Sequence, residues 1–141
     1  VETPNVGQTN NTTLSISNSL GQDSVEVASF DSLAVANYHG VTGCPGPLSS
    51  TPFDAMLFNI GNKRFESDKL DDAKKRIKHS CLTVEQVGKI MDYFELEDNK
   101  LDFAKYAYAY TFDVGNYKSL AGDFIFSTSK SEFQYFLQQQ R

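Results

Sequence analysis

An internal repeat of about 31 residues restricts the fold of this chain more than any other feature of its sequence. Seven residues of the first copy, Phe53, Met56, Ile60, Phe65, Lys69, Leu70 and Ala73, recur 31 positions later as Val84, Val87, Met91, Leu96, Lys100, Leu101 and Ala104. A third, shortened copy follows about 30 positions further on, with Val114, Tyr117, Phe124, Phe126 and Lys130 at the matching places. A period of this size is typical of proteins in which each repeat is one hairpin of secondary structure.

Each copy of the repeat predicts two short helices. An aromatic or aliphatic anchor is followed by a polar cap, a Lys and an apolar helical stripe, and the predicted helices cover roughly 53–62, 67–80, 83–95, 98–111, 113–122 and 129–139. Thr83 with Gln86, and Ser129 with Glu132, have the spacing of capping boxes at helix starts. A single hairpin cannot bury its apolar face, so stacked neighbours must supply the core. The sequence therefore predicts an all-α fold, a short solenoid-like stack of about three helical hairpins.

The first part of the chain has a different composition. Residues 1–24 are rich in Asn, Thr, Ser, Gln and Gly, and the loop at 39–52, HGVTGCPGPLSSTP, contains too much Gly and Pro for regular structure. We therefore divide the chain into a polar, extended and mostly irregular arm, residues 1–37, and a helical-repeat domain, residues 38–141. The chain begins at Val1 without a charged and apolar leader, which leads us to expect that a targeting segment was removed or omitted.

The charge distribution argues against nucleic acid as a partner, and the hydropathy argues against a transmembrane segment. Residues 63–141 hold 13 basic and 13 acidic side chains, and residues 1–62 hold acidic ones alone, so no clustered positive field for nucleic acid is expected. The basic run at 74–78 lies on a predicted amphipathic helix, where it forms a solvated face. No stretch of about 18 apolar residues occurs, so no transmembrane segment is predicted.

Four stretches of the sequence resemble a known family. These are YHGVTGCPGPLS at 38–49, CLTVEQVGKIMDYF at 81–94, LEDNKLDFAKYAYAYTFDVGNY at 96–117 and FSTSKSEF at 126–133. Together they are similar to the domain of unknown function numbered 4476, which is common in secreted or envelope proteins of the Bacteroidota. The resemblance implies an all-helical repeat domain in an exported protein, located in the periplasm, on the outer-membrane surface or outside the cell. It implies no activity and no catalytic residues.

The only two cysteines, Cys44 and Cys81, lie in motifs that carry this resemblance, GCPGP and SCLT. In an exported chain, an even number of cysteines at this separation favours a disulfide, which would hold the proline-rich loop to the end of the second helix. Two free buried thiols are the first alternative. A zinc site that adds His39 and His79 is the second, although the ligand spacing is irregular for zinc.

Apart from this zinc alternative, no arrangement of residues indicates a bound metal or catalysis. The acidic clusters at 66–72 and 95–102 lack the residue order of an EF-hand loop, and first-turn carboxylates of helices explain them. The sequence has no Gly-X-Ser-X-Gly elbow, no phosphate-binding glycine loop and only two histidines. We therefore predict that the chain is not an enzyme and needs no metal or cofactor.

Aromatic residues of the second and third repeats provide a candidate interaction surface. Tyr106, Tyr110 and Tyr117 belong to a stripe that fits inter-helix packing first and an exposed tyrosine patch second. The primary hypothesis is a non-catalytic protein-interaction or assembly module that binds another envelope or extracellular protein. The alternative is a small-ligand-binding protein or hydrolase with a site between the proline-rich loop and the helices, around Tyr38, His39 and His79.

Overall fold

The structure, a computed structural model, describes residues 36–140. In this part of the chain five α-helices and two 3-10 segments follow one another. They are α1 (Ser50–Gly61), α2 (Glu66–Ile77), α3 (Val84–Met91), α4 (Glu97–Ala107) and α5 (Ser127–Gln138), with 3-10 segments at Tyr108–Tyr110 and Val114–Asp123. Each predicted helix corresponds to one of these elements, and the all-α class is confirmed. The predicted arm, residues 1–37, lies outside the described residues except for Ala36 and Asn37.

The helices are arranged as three successive hairpins. In the first, α1 packs on α2, in the second, α3 packs on α4, and in the third, the 3-10 segment Val114–Asp123 packs on α5. The second helices also contact one another in order, α2 with α4 and α4 with α5, and the first elements do the same. Each hairpin therefore covers the apolar faces of its neighbours. That these contacts extend into a solenoid-like stack stays a prediction.

Repeat-equivalent residues form the core. Phe53, Met56 and Ile60 of α1 are buried, and so are their counterparts Val84, Val87 and Met91 in and around α3. On the second helices the pairs Leu70 with Leu101 and Ala73 with Ala104 are also buried. The hydrophobic period of the sequence thus marks the inward faces of both helices in the first two hairpins.

The third hairpin begins with a 3-10 segment in place of an α-helix. Residues 114–123, VGNYKSLAGD, include Gly115 and Gly122, and glycine has a low propensity for the α-helix. Tyr117 occupies the position of Val87, and its larger ring packs edge-on against Tyr108 with centroids 5.0 Å apart. In the shortened third copy, an aromatic side chain therefore fills the core position that Val87 fills in the second copy.

One of the two predicted capping boxes is confirmed. The Thr83 hydroxyl accepts the Gln86 backbone N–H at 3.1 Å, and the Gln86 side-chain oxygen accepts the Thr83 N–H at 3.0 Å. The prediction for Ser129 and Glu132 is wrong, because α5 begins at Ser127 and Ser129 is buried inside its first turn. The Ser129 side chain instead interacts with Glu97 of the preceding repeat, and Glu132 pairs with Lys105 of that repeat.

Candidate functional site

The anchor residue of each repeat lies in solvent and not in the core. Phe65, Leu96 and Phe126 immediately precede α2, α4 and α5, and 60%, 61% and 57% of their respective surfaces are exposed. They occupy equivalent positions of the three hairpins, whose second helices pack side by side. We call these three residues the apolar row.

A glutamate of the first hairpin holds the second member of the apolar row. The carboxylate of Glu66, the first residue of α2, accepts the backbone N–H groups of Glu95 and Leu96, both at 2.9 Å. The side-chain amide of Asn99 donates to the same carboxylate at 2.7 Å. Three donors from residues about 30 positions later in the chain therefore bind this one carboxylate.

The next repeat makes the same arrangement. Glu97, the first residue of α4, accepts the backbone N–H of Ile125 at 3.0 Å and that of Phe126 at 3.1 Å. The hydroxyl of Ser129 supplies the third hydrogen bond, in the place of Asn99. We call the two arrangements the glutamate clasps. Since each clasp binds the backbone of a residue in the apolar row, it fixes that residue relative to the hairpin before it.

The clasps favour the ionised glutamates. For Glu66, partial desolvation raises the pKa, but the hydrogen bonds from Glu95, Asn99 and Leu96, together with the charge of Lys69, outweigh it and lower the pKa below its ordinary value. For Glu97, desolvation is again opposed by its three hydrogen-bond donors and by the charge of Lys100, and the net pKa is lowered. Both carboxylates therefore act as acceptors at neutral pH.

Ion pairs between the second helices recur at the same interval. The ammonium of Lys74 on α2 lies 2.9 Å from a carboxylate oxygen of Asp102 on α4. Lys105 on α4 lies 2.6 Å from Glu132 on α5. These pairs are largely exposed and contribute little stability individually. They indicate that α2, α4 and α5 succeed one another with the same register.

A disulfide joins Cys44 of the proline-rich loop to Cys81, which follows α2, with the two Cα atoms 5.9 Å apart. Because the two sulfurs are bonded to each other, neither is available as a metal ligand, so the interpretation as free thiols and the zinc interpretation are both wrong. Backbone hydrogen bonds hold the loop on either side of the bridge. The Gly43 N–H donates to Phe112 O at 3.0 Å, and the Leu48 N–H donates to Cys81 O at 2.7 Å.

The start of the same loop packs on the third hairpin. The Tyr38 hydroxyl accepts the Gly115 N–H at 2.9 Å and donates to the carbonyl of Val41. A Cβ added at Gly115 would lie 2.7 Å from that hydroxyl, and one added at Gly40 would lie 2.5 Å from it. The absence of side chains at these two glycines therefore allows the Tyr38 ring to lie between them.

A cavity of about 620 Å³ lies beside Tyr38. Its walls include Val41 of the loop, Val114 of the third hairpin and Leu137 of α5, with Lys118 as the basic side chain in its lining. Of the three residues of the predicted ligand site, Tyr38 alone lines this cavity, and whether the cavity binds a ligand stays a prediction. Neither histidine lines this cavity, and both are exposed.

The structure divides the three tyrosines of the predicted interaction surface. Tyr106 and Tyr110 are half-buried with ring centroids 5.5 Å apart, and the ammonium of Lys74 lies 5.4 Å above the Tyr106 ring. Tyr117 is 1% exposed, and its hydroxyl donates to the Ala104 carbonyl at 2.6 Å. The prediction is wrong for Tyr117, because its ring fills the core of the third hairpin.

Sequence reasoning missed the exposure of the apolar row and the role of the glutamate clasps. An apolar residue that recurs within a hydrophobic repeat is ordinarily assigned to the core. The available signal was local: each row residue directly precedes the first turn of a helix, where small polar caps are preferred and apolar ones are rare. In two copies a glutamate follows it at once, in Phe65-Glu66 and Leu96-Glu97.

Taken together, the fold and site define a small all-helical domain of three hairpins, with a disulfide-held loop and an exposed apolar residue at each second helix. Residues 47–137 match the family model described as a domain of unknown function, DUF4476. The chain belongs to that family. No curated protein matches the chain, and no solved structure does. None of the helices within residues 36–140 has the length and hydropathy needed to cross a membrane.

Proposed function

We propose that this domain is a non-catalytic interaction or assembly module of an exported or cell-envelope protein, and that the apolar row is its contact surface. The observation that carries the proposal is the recurrence of an exposed apolar side chain at one position of all three hairpins. Three such side chains at roughly 60% exposure leave on the order of 300–400 Å² of apolar surface in water. Exposed apolar side chains that stand singly are ordinary on a monomer, whereas their recurrence at one repeat position is not required by the core.

The position of the apolar row adds to this argument. Each row residue occupies the N-cap of its helix and makes no side-chain capping hydrogen bond there. Ser, Thr, Asp or Asn at an N-cap is worth about 1 kcal/mol of stability relative to residues without a capping group. Apolar residues at all three N-caps therefore reduce stability without filling the core, which is the pattern expected of residues selected for binding.

The bridge between Cys44 and Cys81 supports the proposed location. Disulfides form and persist outside the reducing cytoplasm, so the bridge supports an exported protein. It is compatible with the periplasm, the outer-membrane surface or the extracellular medium, and the partner would be another protein of that compartment.

Substitution of the apolar row by serine tests the proposal, because serine is a good N-cap and should preserve folding. In the native host, a photoreactive residue at position 96 should crosslink to one defined partner, and the variant F65S/F126S should lose this crosslink while its melting temperature is unchanged or higher. The matched control is F58S/Y135S, since Phe58 and Tyr135 are 66% and 64% exposed outside the row. Equal loss in the control, or crosslinking that survives in F65S/F126S, would contradict the proposal.

The cavity beside Tyr38 supports a second candidate, a small-ligand-binding protein. Its volume of about 620 Å³ falls within the range of about 300–1,000 Å³ typical of ligand sites. A fragment screen observed by NMR tests this candidate. Ligands that shift the resonances of Val114 and Leu137, and that no longer bind when Leu137 is replaced by Trp, would support it, whereas no saturable shift at these residues would remove it.

A further inference from the structure

The cavity beside Tyr38 combines apolar walls with a single charge. Three of the side chains that line it, Val41, Val114 and Leu137, are aliphatic, and the one charged side chain in its lining is that of Lys118. In the described part of the chain, no carboxylate lines this cavity. Small-molecule sites are usually apolar, with a few polar groups that determine which ligand binds.

Three further polar side chains of the lining already have hydrogen-bond partners within the domain. The Asn116 amide donates to the Asp113 carboxylate at 3.0 Å, and the Gln140 amide donates to the Phe136 carbonyl at 3.1 Å. The Tyr38 hydroxyl accepts one hydrogen bond and donates another, as described above. None of these three groups therefore needs a ligand to satisfy it.

The ammonium of Lys118 differs from them, because it forms no ion pair with any residue that the structure describes. Asp113, the acid that precedes this 3-10 segment, does not line the cavity and is 6% exposed. Its carboxylate accepts the Val84 N–H at 2.8 Å and the Asn116 amide. Since apolar walls strengthen the field of a charge in a cleft, an ammonium there without an opposing carboxylate favours a bound anion.

The walls of the cavity are held in place by contacts within the domain. The ring of Tyr108, which lines the cavity, packs edge-on against Tyr117 and Phe136, with ring centroids 5.0 Å and 5.8 Å away. The loop that carries Val41 is held by the disulfide at Cys44. A site formed before its ligand arrives loses little binding free energy to ordering of the protein.

We infer that the cavity beside Tyr38 binds a small organic anion, a carboxylate on an apolar body, with the carboxylate at Lys118 and the apolar body against Val114 and Leu137. This inference rests on the second candidate function, a small-ligand-binding protein, and is independent of the apolar row. The volume of about 620 Å³ has room for either an aromatic ring or a short alkyl chain as the apolar body.

Three probes that share one ring and chain but differ in charge test the inference. They are phenylpropionate, phenylpropionamide and phenylpropylamine, titrated at neutral pH into the full chain while the NMR resonances of Val114 and Leu137 are followed. We expect the carboxylate to bind roughly ten-fold more tightly than the amide, and the amine to bind most weakly. Octanoate, titrated in parallel, distinguishes an aromatic ring from an alkyl chain as the preferred apolar body.

Substitutions of Lys118 locate the anion, and its exposed position makes them compatible with folding. K118Q should weaken phenylpropionate binding roughly ten-fold and leave phenylpropionamide binding unchanged, because only the carboxylate uses the ammonium. K118E should reverse the order, so that the amine binds more tightly than the carboxylate. The matched control is K130Q, since Lys130 is exposed and lies outside the cavity lining, and it should keep the order of the natural chain.

Equal binding of the three probes, or phenylpropionate binding that K118Q leaves unchanged, would overturn the inference. If the probes bind equally and L137W abolishes all binding, the cavity is a ligand site without charge selection, so the inference fails and the second candidate function stands. If neither phenylpropionate nor octanoate gives a saturable shift, the inference and the second candidate both fail. The interaction module proposed from the apolar row is unaffected by either result.

Discussion

The carboxylate of Glu66 accepts the backbone N–H of Leu96 at 2.9 Å across 30 residues of chain, and Glu97 repeats this relation with Phe126 at 3.1 Å one repeat later. Each hydrogen bond joins the first residue of one hairpin's second helix to the N-cap residue of the second helix in the next hairpin. The third copy has Ser127 at the corresponding position, so the series of glutamates ends there. The glutamate clasps thus hold the backbone of two of the three residues of the apolar row, Leu96 and Phe126.

Removing the charge of one clasp should weaken the contact between two hairpins. Hydrogen bonds to charged groups contribute roughly 1.5–3 kcal/mol when well formed, and solvent access reduces this to about 1 kcal/mol for E66Q and for E97Q. Urea unfolding should show these losses in the free energy of unfolding. The control E132Q breaks only an exposed ion pair and should cost less than about 0.5 kcal/mol. Clasp variants as stable as E132Q would contradict the role of the clasps.

The same carboxylates should make stability depend on pH. The folded-state pKa values of Glu66 and Glu97 lie below the ordinary value of 4.5, so the unfolded chain binds these protons more readily. Their contribution is complete above the unfolded pKa and is lost as the pH falls through the folded pKa. We expect the stability of the natural chain to decrease below about pH 5, and the decrease to be smaller in E66Q/E97Q. Parallel curves for the two proteins would contradict this origin.

The sequence predicted the helices well because the apolar period of the repeat coincides with the inward helix faces. Phe53 and Val84, and likewise Ala73 and Ala104, are buried as their common offset indicates. The exposure of the apolar row was not predictable from that period, since Phe65 precedes the helix and leaves its register.

The clasps were missed because they depend on packing between repeats. First-turn carboxylates such as Glu97 are stabilised by the helix dipole in any helix, and the sequence does not reveal that a neighbouring hairpin brings Phe126 within hydrogen-bond distance. The burial of Tyr117, in contrast, was indicated by the sequence, because Tyr117 occupies the repeat position of Val87 and both residues are buried. Its assignment to an interaction surface gave the tyrosine stripe more weight than the repeat.

Reduction of the disulfide should destabilise the domain by at most about 4 kcal/mol, as the chain-entropy estimate for a loop of 37 residues gives. The variant C44S/C81S should show the same loss in thermal unfolding. Because the bridge holds the loop at 38–48, the amide hydrogens of Gly43 and Leu48 should exchange faster in this variant, while those of α4 remain protected. Unchanged exchange at the two loop amides would show that the loop stays in place without the bridge.

Alanine substitutions at two glycines of the loop should distinguish the part of the loop that packs against other residues from the part that does not. A Cβ at Gly43 would collide with the backbone oxygen of Thr111, whereas a Cβ at Gly46 would meet no atom within 4 Å. Since the Thr111 oxygen is backbone, it cannot move aside cheaply, and G43A should lower the free energy of unfolding by about 1–3 kcal/mol. G46A should stay within about 0.5 kcal/mol of the natural chain. Equal effects at the two positions in urea unfolding would contradict the docked position of the loop.

Tyr117 provides a test of the core of the third hairpin. Its buried hydroxyl donates to the Ala104 carbonyl at 2.6 Å, and Y117F should lower the free energy of unfolding by about 1 kcal/mol, whereas Y135F at a 64% exposed position should be neutral. Burial, and then the nearby Tyr108, raise the pKa of Tyr117 against the opposing hydrogen bond with Thr111. The raised pKa stabilises the fold below the unfolded value of about 10, and this contribution is lost as the pH rises through the folded pKa. Spectrophotometric titration should therefore show one phenol that ionises only when the natural chain unfolds in alkali, and that is missing in Y117F. Ionisation of every phenol before unfolding would place Tyr117 at the surface and restore it to the interaction patch with Tyr106 and Tyr110.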